Sequence, residues 1–142
     1  MSGFRAIADA DVEQAVALWT NCGLTRPWND PYKDIAFARD SATSTVLVLE
    51  RGGKIVASVM TGHDGHRGVL YYVAVDPALR GQGLGTAAVR AAEAWLRERG
   101  VWKVNLLVRS ENDAVKGFYA GLGYAVSPVS CMAREIATPS AE

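Results

Sequence analysis

Apolar positions along this chain change period several times, and each change marks an element. Phe4 to Ile7 reads as a short strand, after which Val12, Ala15, Val16, Leu18 and Trp19 recur at helical spacing. Asp9 or Asp11 can cap that helix, and Gly23 ends it. Two prolines exclude a regular strand or helix interior from Thr25 to Tyr32, leaving Arg26 to Asn29 as an exposed loop. Asp30 is placed to cap a helix starting at Pro31 and running to about Arg39.

The pattern then turns to β. Thr45 to Glu50 and Lys54 to Gly62 are joined by Arg51-Gly52-Gly53, which reads as a hairpin turn, and Val69 to Val75 is a third β-rich run. His63 to Gly68, "HDGHRG", therefore falls between two antiparallel strands. Strict alternation puts Tyr71, Val73 and Val75 on one face and Leu70, Tyr72 and Ala74 on the other, so one of the two tyrosines belongs to the core.

Gly85 to Arg99 is the strongest helix, with Leu84, Ala88, Ala91, Ala92, Trp95 and Leu96 on one face and Gly100 closing it. Lys103 to Val108 reads as a strand, Asn112 as an N-cap, Ala114 to Leu122 as a helix and Gly123 as its C-cap. Two strands are expected last, Tyr124 to Val126 and Ser130 to Glu135. The whole is one α/β (α+β) domain over 1–142, a mixed sheet flanked by helices, with disordered ends near 1–3 and 137–142.

Composition narrows the partners. Fifteen basic residues balance fifteen acidic ones, which argues against a nucleic-acid or anionic-membrane partner. No apolar run approaches the roughly 20 residues of a membrane span, so a soluble cytoplasmic protein is expected. Cys22 and Cys131 have no C-x-x-C spacing and read as packing residues.

Candidate chemistry centres on Asp76 to Thr86, "DPALRGQGLGT", between a strand and the strongest helix. Glycines there let backbone N–H groups approach an anion, and the helix N-terminus adds positive character, so the loop reads as a phosphate cradle. A Walker A loop would need Lys-Ser/Thr where Thr86-Ala87 stands. A dinucleotide fingerprint would need G-x-G-x-x-G after the first strand, and this G-x-G-x-G follows the fourth.

In these residues the sequence resembles the GCN5-related N-acetyltransferase (GNAT) superfamily, whose pyrophosphate signature Q/R-x-x-G-x-G/A is matched by Arg80-Gly81-Gln82-Gly83-Leu84-Gly85. Further matches are "VAV" at Val73 to Val75, "RSEN" ending at Asn112, and "FYAGLGY" with Tyr119 and Tyr124. The "RPWNDP" and "DGHRG" stretches resemble a small bacterial subgroup, the YpeA-like acetyltransferases. The resemblance implies a mixed, mostly antiparallel sheet of about six to seven strands with about four helices.

It also implies acetyl-CoA as the bound group, with Val73, Ala74 and Val75 pairing their backbone to the pantetheine arm as a strand would. The pyrophosphate would lie over the N–H groups of Gln82, Gly83, Leu84, Gly85 and Thr86, and Asn112 would touch the arm from the far side. Arg80 and Arg90 could reach outer phosphates or remain solvated helix-face charges.

The implied activity is direct transfer of acetyl to a primary amine of a small molecule or peptide, without a metal, by a monomer or homodimer. Such transfer needs a neutral amine, an oxyanion donor near Val73 and a proton for the leaving thiolate. Tyr119 matches the tyrosine that faces the CoA sulfur in many family members, or is an aromatic of the helix core beside Phe118. Base candidates are His63, Asp64, His66, Glu50, Tyr71 and Tyr72, with Asp64 and His66 either bordering the acceptor or forming a bare turn.

Relatives acting on protein N-termini carry a glutamate where this chain has Leu107, which weakens that acceptor class and leaves a non-catalytic acyl-CoA-binding module as the alternative. Trp28, Asn29 and Asp30, with Tyr71 and Tyr72, are the acceptor-binding candidates. Trp28 could equally plug the core and Asp30 only cap its helix.

Overall fold

The computed structural model describes residues 3–137. They fall into two compact units that divide between Leu106 and Leu107. The first holds a five-stranded sheet in the order β1-β2-β3-β4-β5: β1 Arg5–Ala6, β2 Ser44–Arg51, β3 Lys54–His63, β4 Gly68–Val75 and β5 Val104–Asn105. The first three pairings are antiparallel and β4 with β5 is parallel.

Each element follows from local chemistry. The β2–β3 hairpin closes on Gly52 and Gly53, whose φ values of +57° and +79° give the two positive dihedrals of a type I′ turn. Helix α1 spans Val12–Asn21 and helix α2 Pro31–Arg39, where the Asp30 carboxylate accepts from the N–H groups of Tyr32 and Lys33. Helix α3, Leu84–Glu98, starts at Gly83. Asp11 supplies no side-chain cap to α1; it accepts two hydrogen bonds from the Arg5 guanidinium and one from the Ala8 N–H.

Trp19 of α1, Ile35 of α2 and Val46, Val48 and Ala74 of the sheet form one buried cluster. Leu84 of α3 packs with Leu49, Val56 and Ala57 in another. Tyr72 joins the α1/α2 cluster and Val75 the other, so Tyr72 is the core tyrosine and Tyr71 the exposed one.

The second unit holds helix α4, Asp113–Gly121, capped by the Asn112 side chain accepting from the Val115 N–H. Among the described residues there are five strands, not the six to seven expected, because none forms at 124–126 or 130–135. Pro128 breaks that stretch, and Val126, Val129, Met132 and Ile136 stay exposed, so β propensity there is not backed by burial. The expected disordered ends fall at 1–2 and 138–142, outside the described residues, except for Gly3 and Ala137.

Candidate active site

Strand β4 carries the main irregularity of the sheet. Its ladder with β3 runs Ser58↔Ala74 and then Met60↔Tyr71, so Tyr72 and Val73 stand opposite Val59 alone. This is a β-bulge, and Tyr72 takes φ +51° to make it. The Tyr72 carbonyl accepts from the Ser58 hydroxyl at 3.0 Å. Because the peptide is planar and trans, the Val73 N–H points the opposite way, away from Ser58.

The other edge of β4 is open over the same residues. Pairing with β5 covers only Gly68↔Val104 and Val69↔Asn105. From Leu70 to Val75, β4 has no strand partner on that side among the described residues. The Val75 carbonyl on that edge accepts from the Cys22 thiol at 3.2 Å, and the unpaired strand edge before it is of the kind an extended ligand can join.

The open edge leads into the glycine loop. Asp76 accepts from the Ala78 N–H and pairs with Lys54 at 2.9 Å; these two contacts, the backbone one first, hold its carboxyl below the usual range. A short 3-10 turn, Pro77–Leu79, carries the chain to exposed Arg80, Gly81, Gln82 and Gly83. Gly81 and Gly83 have φ of +84° and +78°, and a Cβ built on either meets no protein atom within 4 Å.

These glycines are thus demanded by backbone conformation, and the space above them is open. No side chain caps α3, so its first N–H groups face that space. The observed cradle fits a phosphate-bearing group on the chemistry of its donors.

The acceptor-side candidates are distributed. Trp28 is 65% exposed and so does not plug the core, whereas Asp30 spends its carboxylate on the α2 cap. Glu50 is paired with Arg5 at 2.5 Å. The "HDGHRG" turn builds itself: Asp64 accepts from the N–H groups of His66 and Arg67, both at 2.8 Å, and His63 Nδ1 accepts from the Gly65 N–H. Those backbone bonds, Arg67 first, lower the Asp64 pKa.

Arg67 lies over the Trp102 ring at 4.6 Å. The turn sits where β4 and β5 are paired, and Val73 is five residues, about 17 Å, along the strand from Gly68. His63, Asp64 and Arg67 border a cleft of about 470 Å³ shared with Phe37, Asp40 and Ser44. His66 is not among its walls. Among the described residues no three His, Cys, Asp or Glu side chains gather as a metal-binding group.

In the C-terminal unit, Tyr119 packs edge-on to Phe118 at 5.0 Å and Tyr124 at 5.6 Å, and burial raises its pKa. Asn112 uses its side-chain oxygen as the α4 cap. Sequence reasoning missed the bulge and three residues around it: Trp19, Asp34 and Ser58. The Tyr72 hydroxyl donates to Asp34 Oδ2 at 2.6 Å, and Trp19 Nε1–H donates to Ser58 Oγ at 2.8 Å. No motif marks them, since a glycine at position 72 would have been the only local sign of a positive φ.

Comparison with known proteins agrees with this geometry. The sequence model of the Acetyltransferase (GNAT) family matches residues 9–124. An acetyltransferase of Yersinia enterocolitica is 45% identical over 120 residues, 84% of this chain and 85% of that protein. Two solved structures share the fold: an acetyltransferase described as putative from Agrobacterium tumefaciens (TM-score 0.78, 22% identity, 93% of this chain and 99% of that one) and AAC(6')-Iy. The latter was solved with the bisubstrate analog CoA-S-monomethyl-acetylneamine (TM-score 0.80, 14% identity, 94% and 97%). No helix among the described residues is long and apolar enough to cross a membrane. With a bulged strand open on one edge, a glycine cradle at its end and this match over most of its length, the chain belongs to the GNAT family of acetyltransferases.

Proposed function

We infer that the chain is an acetyl-CoA-dependent N-acetyltransferase that moves the acetyl group directly to a primary amine of a small molecule or peptide. The observation that carries this reading is the continuity of the cradle with the open edge of β4. An anion-binding loop and a strand edge in sequence suit a ligand that is a phosphate at one end and an extended amide chain at the other. The AAC(6')-Iy complex, with its CoA-containing analog, supports the same reading.

When bound, acetyl-CoA supplies an acetyl group already activated as a thioester. The chain supplies the rest. N–H groups of Gln82 to Thr86 hold the pyrophosphate, and Arg80 is exposed beside them for an outer phosphate. Backbone groups of Val73, Ala74 and Val75 align the arm, and the Val73 N–H stabilises the negative charge that develops on the acetyl oxygen. Tyr119 is assigned as proton donor to the leaving thiolate, a role that a half-buried phenol kept neutral at pH 7 can fill.

On the acceptor side, exposed Trp28 and Tyr71 offer aromatic surface. Asn29 and Asp30 flank Trp28. Asp64 is committed to its turn, so His66 is the base to test for the acceptor's proton, and because that turn lies about 17 Å along β4 from Val73 it would act through a chain of waters and not by direct contact. A cytoplasmic setting, where acetyl-CoA is available, belongs to this reading.

The test is to mix the chain with acetyl-CoA and, separately, polyamines, aminoglycosides, amino acids and short peptides, and to follow thiol release and acetylated product. Amine-dependent release with no acetyl label on Cys22 or Cys131 is expected. Label retained on either cysteine would overturn direct transfer. Tight CoA binding with no release across the panel would favour the binding-module alternative that Leu107 suggests.

A further inference from the structure

Tyr72 is the one described residue other than glycine with a positive φ. A bulky side chain seldom adopts that conformation unless its surroundings enforce it. Here they do so from three elements. The ring stacks on Trp19 of α1 at 3.8 Å and 6°. The hydroxyl donates to Asp34 of α2 at 2.6 Å, and the carbonyl accepts from Ser58 of β3 at 3.0 Å. Ser58 in turn accepts from the Trp19 indole N–H at 2.8 Å, and neither residue has any exposed surface.

A tyrosine recruited only to fill the core would not need its own backbone strained. These contacts act on both ends of the residue: stacking and the Asp34 bond fix the side chain, and the Ser58 bond fixes the carbonyl. What they jointly determine is the plane of the Tyr72–Val73 peptide, and with it the direction of the Val73 N–H. That N–H is the group on which the acyl-transfer reading depends.

We propose that Trp19, Ser58, Asp34 and Tyr72 are positioning residues for acyl transfer: they hold the bulge so that the Val73 N–H meets the acetyl oxygen. The proposal rests on the acetyl-CoA reading above. It gives Asp34 a role no motif assigns. Asp34 lies on α2, directly after the Trp28–Asp30 loop, so the helix next to the acceptor candidates is tied to the same peptide.

Amide nitrogen–proton correlation spectra of the full chain test this without an acceptor, using CoA and acetyl-CoA as probes. In the wild-type chain CoA moves the amides of Gly81 to Thr86, and acetyl-CoA adds a displacement at Val73 that CoA does not produce. Asp34→Ala and Tyr72→Phe are expected to cut that acetyl-specific displacement by about half or more, with the cradle amides still responding. Asp34→Asn, which keeps a hydrogen-bond acceptor, retains it. An undiminished Val73 displacement in both Asp34→Ala and Tyr72→Phe, with the cradle responding, overturns the positioning role alone. If CoA moves no cradle amide in the wild-type chain, both the acetyl-CoA reading and this proposal fall. Asp34→Asn keeps shape and hydrogen bond, so it separates lost positioning from a general loss of folding.

Discussion

Replacing Gly83 by alanine separates what the loop costs the fold from what it does for a ligand. Its φ of +78° is left-handed, so alanine there costs about 1–2 kcal/mol. The new Cβ meets no protein atom within 4 Å, so no clash adds to that figure. For a chain of 142 residues this lowers Tm by roughly 3–7 °C. The Cβ would instead stand in the space that the cradle leaves above the first N–H groups of α3. Losing one or two charge-assisted hydrogen bonds to a phosphate is worth about 1.5–3 kcal/mol each, which predicts CoA binding weaker by roughly tenfold, for one bond at the low end, to roughly ten-thousandfold, for two at the high end.

Gly52→Ala is the matched control, since Gly52 also has a positive φ with nothing within 4 Å but lies in the β2–β3 hairpin. Thermal denaturation should show similar losses for both variants, and calorimetric titration with CoA should show weakened binding for Gly83→Ala alone. Wild-type CoA affinity in Gly83→Ala would refute the cradle.

Other consequences follow from single contacts. Tyr119→Phe should lower kcat by about 100-fold in a chemistry-limited assay with CoA affinity unchanged; full activity would remove the proton-donor assignment. Ser58→Ala leaves the buried Trp19 N–H without its acceptor and should cost about 2 kcal/mol in denaturant unfolding; a loss near zero would contradict the bond. The Arg5 guanidinium holds the Asp11 carboxyl below its ordinary value, so that stabilisation is complete above about pH 4 and is lost as pH falls through the lowered pKa. Asp11→Asn should therefore be less stable at pH 7 by about 1 kcal/mol, with a flatter acid limb of stability against pH; an unchanged acid limb would count against the pair. His66→Ala with an unchanged pH–rate profile would rule out His66 as the base.

Much of the fold was legible because the signals were local. Asp30 before Pro31 set the start of α2, the paired glycines set the β2–β3 turn, and the spacing from Leu84 to Leu96 set α3. The cradle was legible for the same reason, since a left-handed backbone at a helix entrance is written as glycine. The bulge was not. Its positive φ falls on a tyrosine, and what stabilises it comes from Trp19, Asp34 and Ser58, which are distant in sequence. The strands expected after Gly123 failed because the β-rich composition around Val126 and Val129 carries no buried face. Asp64 read as a possible base because sequence shows a carboxylate beside histidines but not the N–H groups that occupy it.

The central claim, that one continuous surface from β4 to α3 holds CoA, is tested most directly by a crystal structure of the chain with CoA bound. The pyrophosphate is expected on the N–H groups of Gln82 to Thr86 and the pantetheine arm paired along Val73 to Val75. CoA seated elsewhere, with the glycine loop and the β4 edge both empty, would contradict it.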